Sequence, residues 1–224
     1  MMARTHPAAA VIFDMDGVLL DTERLYTEAT QQIVGRFGKT FDWRVKADMI
    51  GRPAIDSARH LVTALALPIT AEEYLREREA LFETLMPTAA AHVGARELVA
   101  ALAARGVPQA VATSSSTRLF ELKTRRHRDW FATFAAVVRG DDPRCACGKP
   151  APDIFLVAAA DLRVAPGACV VVEDAPAGVA AARAAGMAVV AVPDPAMDRS
   201  RFGDADLIVD SLAALDPDRL LAVG

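Results

Sequence analysis

Cysteine is scarce in this chain of 224 residues: there are three, Cys145, Cys147 and Cys169. Three cysteines make no disulfide framework. Cys145 and Cys147 stand too close together for a standard zinc pair and no second pair follows, so they read as loop residues. Long hydrophobic runs are missing too. No segment approaches the roughly 18 continuous apolar residues that a membrane span needs. The apolar stretch near the N-terminus is too short for a secretory signal and runs straight into aspartates. Nor is charge of one sign in excess. Twenty-five Lys and Arg against 29 Asp and Glu leave a net charge of −4, which gives no electrostatic reason to expect nucleic acid. The basic run Lys123, Arg125, Arg126 and Arg128 reads as a solvated helix face. These absences predict a soluble, reducing, cytoplasmic setting without membrane or nucleic-acid partners; a monomer or weak homodimer is the expected state, which no motif here fixes.

What is present is enough apolar material for a packed core, 53% of residues with 24% charged. It is distributed in short runs. Residues 8–13 (AAAVIF), 108–112 (PQAVA), 135–138 (AAVV), 168–172 (ACVVV) and 187–192 (MAVVAV) suit buried parallel strands, with 207–209 as a sixth at the edge. Helical patterns lie between them, at 94–105, 117–128, 152–162 and 178–185, the last ending at Gly186 as a C-cap. Strands alternating with helices predict an α/β fold with a Rossmann-like, doubly wound parallel sheet. The stretch from Glu23 to Pro87 differs. It carries amphipathic helical patterns, such as Tyr74, Leu75, Leu81, Phe82 and Leu85, and no convincing strand. It predicts an all-helical insertion, residues 23–87, in a discontinuous core of residues 1–22 and 88–224.

Ligands of open α/β sheets bind outside the carboxyl ends of the strands. The first strand is followed by DMDGV, with Asp14 and Asp16, and the second by TSSS, Thr113 to Ser116. GKPAPD, with Lys149, comes beyond the third, and EDAPAG, with Glu173 and Asp174, follows the fourth. Two or three carboxylates on neighbouring strand ends make a hard oxygen site suited to Mg²⁺, with Asp14 and Asp174 as direct ligands and Glu173 as a weaker one. An ionised Asp14 attacks phosphorus and forms an aspartyl-phosphate. Mg²⁺, Lys149, the Thr113 hydroxyl and the backbone N–H groups after it, at Ser114 and Ser115, neutralise the transition-state charge. Asp16 protonates the leaving oxygen and then deprotonates water. Gly17 fits a turn that lets backbone approach the phosphate. Each feature alone has a plainer use: helix caps for the aspartates and serines, a surface position for the lysine. Their recurrence at successive strand ends of one sheet points to function.

These residues resemble the four motifs of the haloacid dehalogenase superfamily: DMDGVLLDTE, VATSSS, GKPAPDIF and VVVEDAPAGVAAARAAGM. The resemblance spans nearly the whole chain. It implies a Rossmann-like core with Mg²⁺, the Asp16 backbone carbonyl joining its ligands, and a mobile helical cap of the subgroup that includes sugar-phosphate phosphatases and β-phosphoglucomutase. DTERLYTEA, KTFDWRVKADMIGRPAIDSAR, LKTRRHRDWF and RGDDP are similar to pseudouridine-5′-phosphatases and plant-type glycerol-3-phosphate phosphatases. The expected substrate is thus a small phosphorylated metabolite, a polyol, sugar or nucleoside phosphate. Glu23, Tyr26 and Arg52 lie where cap residues reach the leaving group. A phosphomutase is the alternative. That subgroup keeps a histidine and basic residues where this chain has Tyr26, Ile50 and Ala54. A phosphoacceptor switch domain is a third reading, disfavoured by the insertion and by the second acid at Asp16.

Overall fold

A computed structural model of the chain describes residues 7–50 and 54–223. Among the described residues eight strands run in chain order: β1 (Ala10–Phe13), β2 (Leu20–Asp21), β3 (Ala90–Ala91), β4 (Gln109–Ala112), β5 (Ala136–Val138), β6 (Cys169–Glu173), β7 (Ala188–Ala191) and β8 (Leu207–Ile208). The α-helices among the described residues are α1 (Glu23–Gly35), α2 (Trp43–Met49), α3 (Ala54–Ala64), α4 (Ala71–Leu85), α5 (Ala95–Ala104), α6 (Thr117–Lys123), α7 (Arg128–Phe131), α8 (Asp153–Leu162), α9 (Pro176–Ala184) and α10 (Pro217–Leu221).

Six strands form one parallel sheet in the order β5-β4-β1-β6-β7-β8. Its central strands are buried on both faces, which is why they are near-continuous Val, Ile and Ala. Alternate residues serve opposite layers. Val11, Phe13, Val111, Val170 and Val172 face α5 and the aromatic group Trp130, Phe131 and Phe134. Ala10, Ile12, Ala110, Val171 and Val189 face α8 and α9. Each fully buried Val or Ile contributes about 1.5–3 kcal/mol.

The chain builds outward from β1 on one side through β4 and β5, and on the other through β6, β7 and β8. Strand order thus reverses beside β1, and a crevice opens there at the strands' carboxyl ends. Pairing of Phe13 with Val111 and with Val172 sets Asp14 level with Ala112 and Glu173.

Between β2 and β3 the described residues form the helices α1 to α4 and no strand. A capping box of Thr70 and Glu73 starts α4. Ile33, Val34, Phe41, Leu61 and Tyr74 form an apolar cluster of their own. The antiparallel pair β2–β3 ties the two chain crossings together; at two residues each, these strands are too short to show a sequence pattern. The helix expected over 117–128 instead breaks after Lys123, and the chain turns so that Trp130 and Phe131 reach the core. Among the described residues no helix is long and apolar enough to cross a membrane.

Candidate active site

Lys149 ties together the carboxylates at the crevice. Its Nζ lies 2.5 Å from Asp14 Oδ1, 2.6 Å from Glu173 Oε1 and 3.2 Å from the Ala112 carbonyl. It reaches this point from the loop before α8 and passes over the Phe155 ring of that helix. Lys149 and Asp14 are each 8% exposed at the side chain. Burial would lower the lysine's proton affinity, but Asp14 and Glu173 outweigh it and keep the ammonium charged.

Glu173, expected as a weaker metal ligand, has both oxygens engaged. Oε1 accepts from Lys149, and Oε2 accepts from the N–H groups of Asp174 and Ala175 at 2.8 Å each. It anchors the lysine and the turn into α9. Gly178 makes this geometry feasible: a Cβ there would stand 1.7 Å from Glu173 Oε1. Asp174 lies over Gly17, whose φ of +77° favours glycine and whose Cβ, if present, would meet Asp174 Oδ2 at 2.1 Å.

Three acids, Asp14, Glu173 and Asp174, crowd around one lysine. Burial pushes the Asp14 carboxyl up to about 7, with Glu173 and Asp16 adding to the rise and Lys149 opposing it. Burial likewise raises Asp174 well above the usual carboxylate range, helped by Glu173, Asp14 and Glu23.

Asp16 faces another way. Its Oδ1 accepts from Thr22 Oγ1 at 2.6 Å and Lys123 Nζ at 2.5 Å. Its Oδ2 accepts from Ser115 Oγ at 2.9 Å and Thr113 Oγ1 at 3.3 Å. Burial acts to raise its proton affinity, but the Lys123 charge and these hydrogen bonds hold the carboxyl below its ordinary value.

A cavity of about 560 Å³ opens above these groups. Asp14, Asp16, Ser114, Lys149, Glu173 and Asp174 line its floor. Glu23, Trp43, Lys46 and Ile50 from the helical segment form the opposite wall, with Asp194 and Met197 from the loop after β7. Of the residues expected on phosphate or substrate, Ser114, Lys149 and Glu23 stand on this cavity. Gly17, Thr113, Ser115 and Tyr26 are not among its lining residues. Ser115 and Tyr26 bond to Lys123 instead. Arg52 is outside the described residues.

Two residues escaped the sequence reading. Lys123, assigned there to a solvated face, is fully buried, while Arg125, Arg126 and Arg128 are exposed as expected. Its signal was its place on α6 three residues after the buried Phe120, on the apolar side of the helix. Lys46, 14% exposed at the side chain, bonds Glu23 at 3.1 Å and Thr27 Oγ1 at 3.0 Å. Its helix α2 buries no residue completely, so no apolar period marks its inward face.

Residues 8–186 match the haloacid dehalogenase-like hydrolases. The chain belongs to this family. Over 213 residues it is 47% identical to (DL)-glycerol-3-phosphatase 2 of Arabidopsis thaliana, which covers 93% of this chain and 89% of that protein. Over 211 residues it is 45% identical to a probable pseudouridine-5′-phosphatase of Drosophila melanogaster, with 93% and 91% covered. Among solved structures it resembles a putative β-phosphoglucomutase from Thermotoga maritima, at 31% identity and a TM-score of 0.71, with 95% and 96% covered. With phosphatases as near relatives along almost its full length, this haloacid dehalogenase-like hydrolase is a phosphatase.

Proposed function

We propose that this phosphatase hydrolyses a small phosphomonoester, a polyol, sugar or nucleoside phosphate, with Asp14 as nucleophile and Mg²⁺ as cofactor. The observation that carries the reading is the Asp14–Lys149–Glu173 bridge at the strand-order reversal, on the floor of a cavity walled by the helical segment.

The surplus of buried acid fits a divalent cation. Among the described residues no three of His, Cys, Asp and Glu converge as a metal-binding group. Mg²⁺ does not require that, because it is commonly held by one or two carboxylates with waters and substrate phosphate. Asp14, Asp174 and the Asp16 backbone carbonyl would hold it, and Glu173 is left to position Lys149. When bound, the ion supplies positive charge that favours ionised Asp14 and stabilises phosphoryl oxygens.

The protein's own groups then divide the reaction. Asp14 attacks phosphorus, the bond to the leaving oxygen breaks, and an aspartyl-phosphate forms. Lys149 and backbone N–H groups near Ser114 offset the charge on the peripheral oxygens. Asp16 is ionised in the free protein and is therefore first a base. An arriving phosphate adds negative charge beside it and raises its proton affinity. It then takes up a proton from solvent, gives it to the leaving oxygen, and takes one back from the water that cleaves the aspartyl-phosphate. Lys46, Glu23 and Trp43 stand where a hydroxyl-bearing leaving group would extend.

The test is phosphate release from a panel holding glycerol 3-phosphate, pseudouridine 5′-phosphate, 2-deoxyglucose 6-phosphate and β-glucose 1-phosphate, with native enzyme and Asp14→Asn. Hydrolysis of one or more esters with Mg²⁺, lost in a chelator and in the variant, is the expected result. Conversion of β-glucose 1-phosphate to the 6-phosphate with little free phosphate would replace the phosphatase by a mutase.

A further inference from the structure

Lys123 is a fully buried cation that the chemistry above does not use directly. An ammonium has three N–H donors, and all three are taken. They go to Asp16 Oδ1 at 2.5 Å, Ser115 Oγ at 2.7 Å and Tyr26 OH at 2.8 Å. The three acceptors come from different parts of the chain. Asp16 follows β1, Ser115 follows β4, and Tyr26 is on α1. Nζ also lies 4.9 Å from the Tyr26 ring centre, and that ring packs edge-on against Phe82 of α4. Ser115 passes the constraint on by donating to the second Asp16 oxygen. Asp16 borders the cavity; Lys123 does not. A buried charge of this kind is costly to keep unless fully paired, and here every pairing leads to, or supports, one carboxylate.

We propose that Lys123 is the positioning residue of the acid–base group, fixing the orientation of the Asp16 carboxylate from behind, with Ser115 and Tyr26 completing the cage. This rests on the reading of Asp16 as the acid–base group. Lys123 touches neither substrate nor reacting atoms. Its effect on the reaction passes wholly through Asp16, so its removal must impair the steps that need a positioned proton and spare those that do not.

The test follows first-turnover release of the leaving group from p-nitrophenyl phosphate, whose phenolate departs without a proton, and from glycerol 3-phosphate, whose alkoxide needs one. Native enzyme, Lys123→Met, Asp16→Asn and the double variant are compared, with a thermal melt of each. Lys123→Met is expected to slow release from glycerol 3-phosphate at least about tenfold more than release from p-nitrophenyl phosphate. KM should change little, and in the Asp16→Asn background the substitution should cost nothing further. Equal slowing of both esters, or a full additional loss in that background, overturns the proposal and leaves the role of Asp16 standing. If Asp16→Asn itself treats the two esters alike, the acid–base reading fails and the proposal falls with it. If Lys123→Met does not fold, Tyr26→Phe replaces it. That variant keeps the ring and removes the acceptor, so the same selective and non-additive loss is expected at smaller size. A uniform loss or none overturns the proposal.

Discussion

In the folded protein the Asp14 carboxyl keeps its proton up to about pH 7, against 3.8 for an ordinary aspartate. The unfolded chain releases that proton about three pH units earlier, so between these values the native state binds more protons than the unfolded state. Asp14 thus favours folding below about pH 4, and the advantage is lost as pH rises to about 7. The position of the proposed nucleophile is held against the stability of the metal-free protein. Asp14→Asn removes the conflict. At pH 8 without divalent metal its melting temperature should exceed that of the native protein, by about 2–4 °C for each kcal/mol regained in a chain of this size. At pH 5 the difference should shrink, and added Mg²⁺ should raise the variant less than the native protein. Melts at both pH values, with and without Mg²⁺, check this. A variant less stable than native at pH 8 would contradict it. Asp14, Asp16 and Asp174 were legible as candidates because each stands just after an apolar run that reads as a buried strand, whereas Lys149 lies in a polar loop beyond the third run and was singled out by its place in GKPAPD. Lys123 was hidden because its neighbours Arg125, Arg126 and Arg128 are solvated, and a charge run does not reveal which member turns inward.

The helix α9 shows how an element serves the site. It begins just after the Glu173–Asp174 turn, and Gly178 in its first turn lies against the Glu173 carboxylate. In an ordinary helix, replacing glycine by alanine gains up to about 1 kcal/mol. Here the added Cβ would collide with Glu173 Oε1, and the carboxylate would have to leave Lys149. Gly178→Ala is therefore expected to lower kcat by a factor on the order of 10², as small misplacements of catalytic groups do, with a lower melting temperature. Unchanged kcat with a normal melt would show that Glu173 does not set the lysine's place. At this scale the six strands of the parallel sheet were legible to within a residue or two, since Val- and Ile-rich runs flanked by polar residues have few other uses; the two-residue β2 and β3 were not. The broken α6–α7 segment was not. A continuous helix satisfies the local pattern, and what ends it is the burial of Trp130 and Phe131 against a distant sheet, a contact that no local period encodes.

On the scale of the whole molecule, the strand ends of the sheet carry the candidate catalytic groups and the helical segment supplies the opposite wall of the cavity. Order of strands, register and the reversal beside β1 bring residues from four separate segments into one crevice. From the sequence, that convergence followed from the alternation of strands and helices. The wall did not, because Trp43 and Lys46 lie on a short helix without an apolar stripe. Since Lys46 faces the cavity from the helical side, Lys46→Ala should alter the ranking of esters on the phosphate panel more than it alters hydrolysis of p-nitrophenyl phosphate. A uniform loss across all esters would place Lys46 in general support of the fold. The account as a whole depends on phosphoryl transfer to Asp14, and this can be read chemically. Enzyme turning over glycerol 3-phosphate or p-nitrophenyl phosphate with Mg²⁺ is quenched in acid and reduced with borohydride, which converts an aspartyl-phosphate to homoserine, and the peptides are weighed. The predicted result is homoserine at position 14 alone, absent from protein quenched without substrate. Modification at another residue, or none while phosphate is being released, would contradict it.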